Sequence, residues 1–115
     1  MDLEKRVVRF LCDYDVPVKF AGYNYLKESI IIAIENQTAP TNKILFCAIA
    51  DRHNTDPDCV ERCLRTVIDK CWETMSVAGL FVKKPSPRDF IVRCAEQITT
   101  GGAPKSAYDI IARQG

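Results

Sequence analysis

The sequence has a single histidine, His53, so chemistry built on imidazole bases or ligands is confined to one group at one place. Its five glycines form no phosphate-cradling loop: the one Gly-Gly pair, Gly101-Gly102, lacks both a following lysine and a preceding strand. No C-x-x-C pair occurs among the six cysteines (Cys12, Cys47, Cys59, Cys63, Cys71 and Cys94), and nothing secretory precedes them. That argues against a zinc site or a disulfide framework and for free thiols used as small core or half-buried residues. Cys59 and Cys63 stand one helical turn apart, a spacing that admits a shared metal, but no metal is expected. No apolar run reaches the length of a membrane span, and the start, MDLEKRVVRF, is amphipathic without the apolar centre of a signal peptide. A cytoplasmic location without a membrane partner is expected. Period-two alternation never lasts, so strands are excluded and an all-α fold follows. The net charge of +1 is low for a chain that binds a polyanion, so any such binding depends on where the charges sit.

What the sequence does have is a corner at residues 46–65, FCAIADRHNTDPDCVERCLR, spaced like a helix-turn-helix. Ala50 is small where two helices would cross. Asn54 is the best non-glycine candidate for the left-handed residue that ends the first helix, because its short amide bonds locally at positive φ. Asp56 suits the cap of the second helix, Pro57 its first position, and Val60 falls where it packs back on Ile49 and Ala50. With Val60, Leu64, Val67, Ile68 and Cys71 turned inward, Asp58, Glu61, Arg62 and Arg65 lie outward. An arginine fork matches the two acceptors of a guanine edge, and a glutamate accepts from cytosine N4. The alternative is a solvated face on which Arg62 and Arg65 pair with Glu61, Asp58 or Asp69.

At 115 residues the chain is the size of one domain with a single core. The periodicity predicts a compact bundle of about six helices around the central helix-turn-helix. The first spans residues 3–14, with Leu3, Val7, Phe10, Leu11 and Tyr14 on one stripe, and ends at Val16-Pro17. The second begins near Gly22-Tyr23, carries Leu26, Ile30, Ala33 and Ile34, and is buried on most sides. A loop at 36–40 leads to a cap at Thr41 or Asn42 and to the motif helices, about 43–53 and 57–73, with Trp72 as a core anchor. One short helical turn fits residues 76–80, and a further helix at about 87–98 starts from Ser86 and Pro87. Residues 99–104 read as a flexible link, and Ser106 with Asp109 as the start of a short last helix. The division expected is therefore 1–98 for the domain and 99–115 for linker and terminal helix.

Four strings, in order, carry a resemblance: VPVKFAGYNYLKESI (16–30), IADRHNTDPDCVERCLRTVI (49–68), the tryptophan after it, and KPSPRDFIVRCAEQI (84–98). Together they resemble the DNA-binding effector domain of the stage-zero sporulation response regulators of spore-forming bacteria, over about residues 2–98. The resemblance implies an all-helical domain that binds a short promoter element as a pair. It also implies that Glu61, Arg62 and Arg65 face the bases. No phosphoacceptor receiver domain precedes the match, so phosphorylation-driven pairing is expected to have no place here. The chain departs from the family at Asp58 and Cys59, where a small polar and a basic residue are usual, and a carboxylate there repels phosphate. The segment 73–84 is also shorter than the family pattern.

The leading expectation is a sequence-specific transcriptional regulator that binds double-stranded DNA, with a homodimer on DNA and RNA polymerase as further partners and no cofactor. Glu61, Arg62 and Arg65 would contact bases, and Lys43, Arg52, Thr55, Lys83, Lys84 and Arg88 would contact phosphates. Acid concentrated in Asp2, Glu4, Asp13, Asp15, Glu28 and Glu35 would leave these basic residues a face of their own. The alternative is a protein-interaction module that keeps the fold without DNA, using the apolar tail. An enzyme fits least: His53 at the end of a helix suits a partly buried structural role, and no catalytic residue is assigned.

Overall fold

A computed structural model describes residues 2–36 and 41–100. They form five helices: α1 (Leu3–Asp13), α2 (Ala21–Glu35), α3 (Asn42–Arg52), α4 (Pro57–Val77) and α5 (Pro87–Thr100), with no strand among the described residues. The all-α expectation holds. The last helix read from Ser106 lies outside the described residues.

Four of the five helix starts carry a side-chain cap, α2 beginning after Phe20 without one. Asp2 caps α1 by accepting from the Glu4 N–H at 3.2 Å, and Thr41 caps α3 through the Ile44 N–H at 3.4 Å. Asp56 accepts from the Cys59 N–H at 2.9 Å with Pro57 in the first turn of α4, and Ser86 accepts from the Asp89 N–H at 3.2 Å ahead of α5.

Three helix ends share one solution. Asp15, Asn54 and Gly79 have φ of 57°, 54° and 91°. After each, an N–H turns back to a carbonyl five residues earlier: Val16 to Leu11, Thr55 to Ala50 and Leu80 to Met75, all at 3.0 Å. Asn54 is the residue expected there. The other two ends correct the sequence reading. Helix α1 stops at Asp13 through left-handed Asp15, two residues before Pro17, because this turn satisfies carbonyls that a proline-induced break would leave open. The turn placed at 76–80 is not separate: α4 runs unbroken to Val77, four residues past the end expected at 73, and the glycine closes it. Helix α5 likewise continues through Thr99 and Thr100.

Helix α2 is the middle of the bundle and packs against all four others. Tyr23, Tyr25, Leu26, Ile30 and Ala33 are buried, and Ile31, Ile32 and Ile34 pack at the edges of the core. The buried Ser29 hydroxyl donates to the Tyr25 carbonyl at 2.7 Å, so no polar group is stranded there. Gly22 meets α4 at backbone distance: a Cβ on it would lie 2.2 Å from the Cys63 carbonyl oxygen. Val60, Leu64, Val67, Ile68, Cys71 and Met75 of α4 are buried in this core, as are Ile49 and Ala50 of α3, which packs against α4. Trp72 is half-buried at the core edge rather than inside it. Arg6 donates to the Ile98 carbonyl at 2.6 Å and holds the end of α5 to α1.

Two substitutions check this account. Asn54→Val should cost about 1 kcal/mol or more, since a β-branched residue is strained at positive φ, while Asn54→Gly should be nearly neutral. Gly22→Ala should cost about 1–3 kcal/mol by forcing α2 and α4 apart. Urea unfolding followed by circular dichroism measures both.

Candidate nucleic-acid interface

The corner between α3 and α4 spans residues 53–56 and presents the outer side of α4 to solvent. Along that side Glu61, Arg65 and Asp69 follow one another at one-turn spacing, with Arg62 beside them. Arg65 lays its Nε and Nη2 on a single Glu61 oxygen at 3.0 and 2.8 Å, so part of the salt-bridged alternative is present. Lys84 crosses from the loop after α4 to pair with Asp69. That pair brings a loop lysine onto the same stripe as Arg65. Arg62 is exposed and makes no ion pair among the described residues.

The other expected phosphate contacts are spread out. Arg52 sits in the last turn of α3 and pairs with Glu28 at 3.3 Å. Thr55 is half-buried in the corner, its N–H already given to Ala50. Lys43 is exposed at the opposite end of α3, about 14 Å along the helix from Arg52. Lys83 and Arg88 are exposed in the loop before α5 and in its first turn. The Lys84–Asp69 pair joins the loop to the α4 stripe, and Lys43 stands at the end of α3 away from the corner.

Sequence reasoning missed how the acid is arranged. Glu28 is not remote from the basic residues: its carboxylate takes both Arg52 and the His53 Nε2. His53, an exposed residue, also sets its ring edge-on to Tyr25 with centroids 4.9 Å apart, so it ties α2 to the corner. No sequence spacing announces a pair 25 residues apart. A second omission is the contact of α2 with the outer edge of α4. Phe20, Ala21, Gly22, Arg62, Cys63 and Thr66 line a shallow cleft of about 140 Å³, for which Gly22 between aromatic residues was the available signal.

The thiols divide by burial. Cys12 is exposed, Cys47, Cys59 and Cys63 are half-buried, and Cys71 and Cys94 lie in the core. Burial pushes the Cys71 thiol up to about 12 and Cys94 well upward. Cys63 is raised by burial first, then by its hydrogen bond with Cys59 and by that neighbour's charge, against the lowering influence of Arg62. Among the described residues no three metal-ligating side chains come together.

Residues 7–98 match the family described as sporulation initiation factor Spo0A C terminal. The chain belongs to this family. The Spo0A C-terminal domain is the DNA-binding effector domain of a sporulation transcription factor, not a member of an enzyme family, so a DNA-binding regulator is the general class of this protein. No helix among the described residues is long and apolar enough to cross a membrane.

The thiol arrangement has a measurable consequence. At pH 8 a thiol shifted to about 12 is only about one part in ten thousand thiolate, the reactive form. Ellman's reagent should therefore titrate Cys12, Cys47, Cys59 and Cys63 in the native protein and Cys71 and Cys94 only after unfolding. Above the ordinary thiol range near 8.5, the folded chain keeps a Cys71 proton that the unfolded chain loses. Stability contributed by the buried thiol is thus full below that range and falls as pH rises toward about 12, by up to about 1.4 kcal/mol per pH unit. Urea unfolding at pH 8, 9 and 10 reads this slope.

Proposed function

We propose that the α3–α4 corner is a helix-turn-helix and that the chain is a sequence-specific transcriptional regulator with α4 as its recognition helix in the major groove. The observation that carries this reading is the outward stripe of α4, where Arg62 makes no ion pair among the described residues and Arg65 is exposed and paired with Glu61. In this reading Arg62 and Arg65 donate to base acceptors, and Glu61 orients Arg65 or accepts from a cytosine amine. The Glu61–Arg65 pair is an exposed i,i+4 contact, worth about 0.3–0.5 kcal/mol. A bidentate guanine contact discriminates by about 1–3 kcal/mol, so the pair opens at little cost or stays as a positioning contact.

Lys84, Lys83 and Arg88 flank the stripe from the loop and α5, and Arg52 and Thr55 flank it from the corner, as phosphate contacts. Lys43 would reach the backbone farther along the duplex. Asp58, exposed in the first turn of α4, subtracts from phosphate attraction at that end and shifts the burden to Lys83, Lys84 and Arg88. The resemblance extends the proposal to two copies on adjacent half-sites, to RNA polymerase as the protein partner and to a cytoplasmic setting.

Selection from a random duplex pool should yield an enriched motif. On that duplex, Arg65→Ala should cost about 1–3 kcal/mol and relax preference at one base pair. Lys84→Ala should weaken all duplexes alike and lower the salt slope by about one. Both residues are surface-paired, so thermal stability should move by no more than about 0.5 kcal/mol in either variant. Fluorescence anisotropy at several salt concentrations, with a shuffled duplex as control, measures these differences. Equal weak binding of wild type and both variants to every duplex would overturn DNA reading and favour the interaction module.

A further inference from the structure

We infer that Cys59 and Cys63 form a two-thiolate site for a soft monovalent metal ion of the copper(I) class. Both lie on the unbroken helix α4 at one-turn spacing, and both are half-buried. Side chains at this spacing on a helix have Cβ atoms about 5–6 Å apart. A disulfide needs about 3.8 Å, so oxidation to a bond between them requires α4 to unwind. An ion held between two sulfurs fits instead: at the zinc–thiolate length of about 2.3 Å, two metal–sulfur bonds end to end hold the sulfurs about 4.6 Å apart, against about 2.0 Å in a disulfide.

The donor set selects the ion. Zinc in a structural site takes four ligands, and no group of three or more candidate ligands occurs among the described residues. Thiolates are the donors that favour copper(I). Binding is balanced as one monovalent ion plus two thiols giving a bis-thiolate complex of net charge −1 and two released protons. The Arg62 guanidinium, next in the chain to Cys63 and lining the same cleft, supplies the opposite charge beside that complex. Cys63 itself lines the cleft, which gives the ion a path from solvent.

A second sulfur group is present in the core and is the competing destination. The Cys94 Sγ lies 4.0 Å from the Met75 Sδ, with Cys71 one turn before Met75 on α4. All three residues are sealed from water, so a charged complex there would carry the full cost of burial among apolar side chains and no ion could reach it without the core opening. The half-buried pair is the accessible one.

The test uses the full chain carrying Cys12→Ser and Cys47→Ser, which removes the other accessible thiols. Copper(I) is supplied anaerobically in competition with a chromogenic copper(I) chelator. One equivalent should be retained, and adding either Cys59→Ser or Cys63→Ser should lower affinity at least about a hundredfold, with folding of each variant checked by circular dichroism. X-ray absorption on the loaded two-serine background should show two sulfur neighbours at one short distance, a readout independent of any further substitution. Retention of the ion by both additional serine variants, failure of the background protein to hold one equivalent, or a shell of three sulfurs would overturn the site. None of these outcomes bears on duplex binding, which is measured separately.

Discussion

The bundle depends on how closely α2 and α4 approach at Gly22. Without a side chain there, the first turn of α2 rests against the Cys63 carbonyl, and the two longest helices cross at backbone distance. The contact has to be close because α2 has apolar residues on most of its circumference and is covered by every other helix. A helix whose polar side is as narrow as Asn24, Lys27, Glu28 and Glu35 is oriented less by facing water than by the neighbours that cover it. Gly22 sets where α4 stands and, with the inward stripe from Val60 to Met75, which side of α4 remains outside. The Gly22 contact thus places Arg65 on the outer side of α4 and leaves Arg62 at the edge of the α2–α4 seam.

The corner adds a second constraint. Left-handed Asn54 ends α3, and Asp56 starts α4 two residues later, so the chain turns with no spare length. His53 and Arg52 then meet Glu28 on α2, fastening the corner to the same helix that positions α4. These pairs are partly exposed and individually weak. Their effect is to hold the angle of the corner rather than to supply much of the folding energy, which comes from the apolar side chains buried around α2.

What was legible in the sequence follows the range of the physics. Thr41, Asp56, Ser86, Pro57, Pro87 and Asn54 act on backbone groups within three residues or through their own φ, and local spacing announced each of them. Asp15 was hidden by the more conspicuous Pro17, although an aspartate also tolerates the left-handed region. The end of α4 was obscured because residues 73–78 carry little periodic pattern, and only Gly79 marks the stop. The family was readable from four joined strings and is the one matched over residues 7–98. Glu61 with Arg65 was readable from its one-turn spacing, whereas Glu28 with His53 and Lys84 with Asp69 were not, since they depend on which elements pack together.

Those pairs explain how a chain of net charge +1 can serve the proposed DNA face. Arg52, Arg65 and Lys84 are each matched by a carboxylate in the free protein, which keeps the surface close to neutral and limits self-repulsion. Exposed matches of this kind are worth a few tenths of a kcal/mol and are screened by salt, whereas a duplex presents a dense line of phosphates. Exchange of a surface carboxylate for a phosphate or a base edge is therefore favourable only where several cations are engaged together. Arg62, which makes no ion pair among the described residues, needs no such exchange, so it would make the first contact while Arg65 and Lys84 follow. On this reading the acid on α4 acts against loose binding as much as the arginines act for tight binding: Asp58, Glu61 and Asp69 remain beside any phosphate that fails to bring a matching base. A near-neutral recognition face then gives up non-specific affinity and gains discrimination.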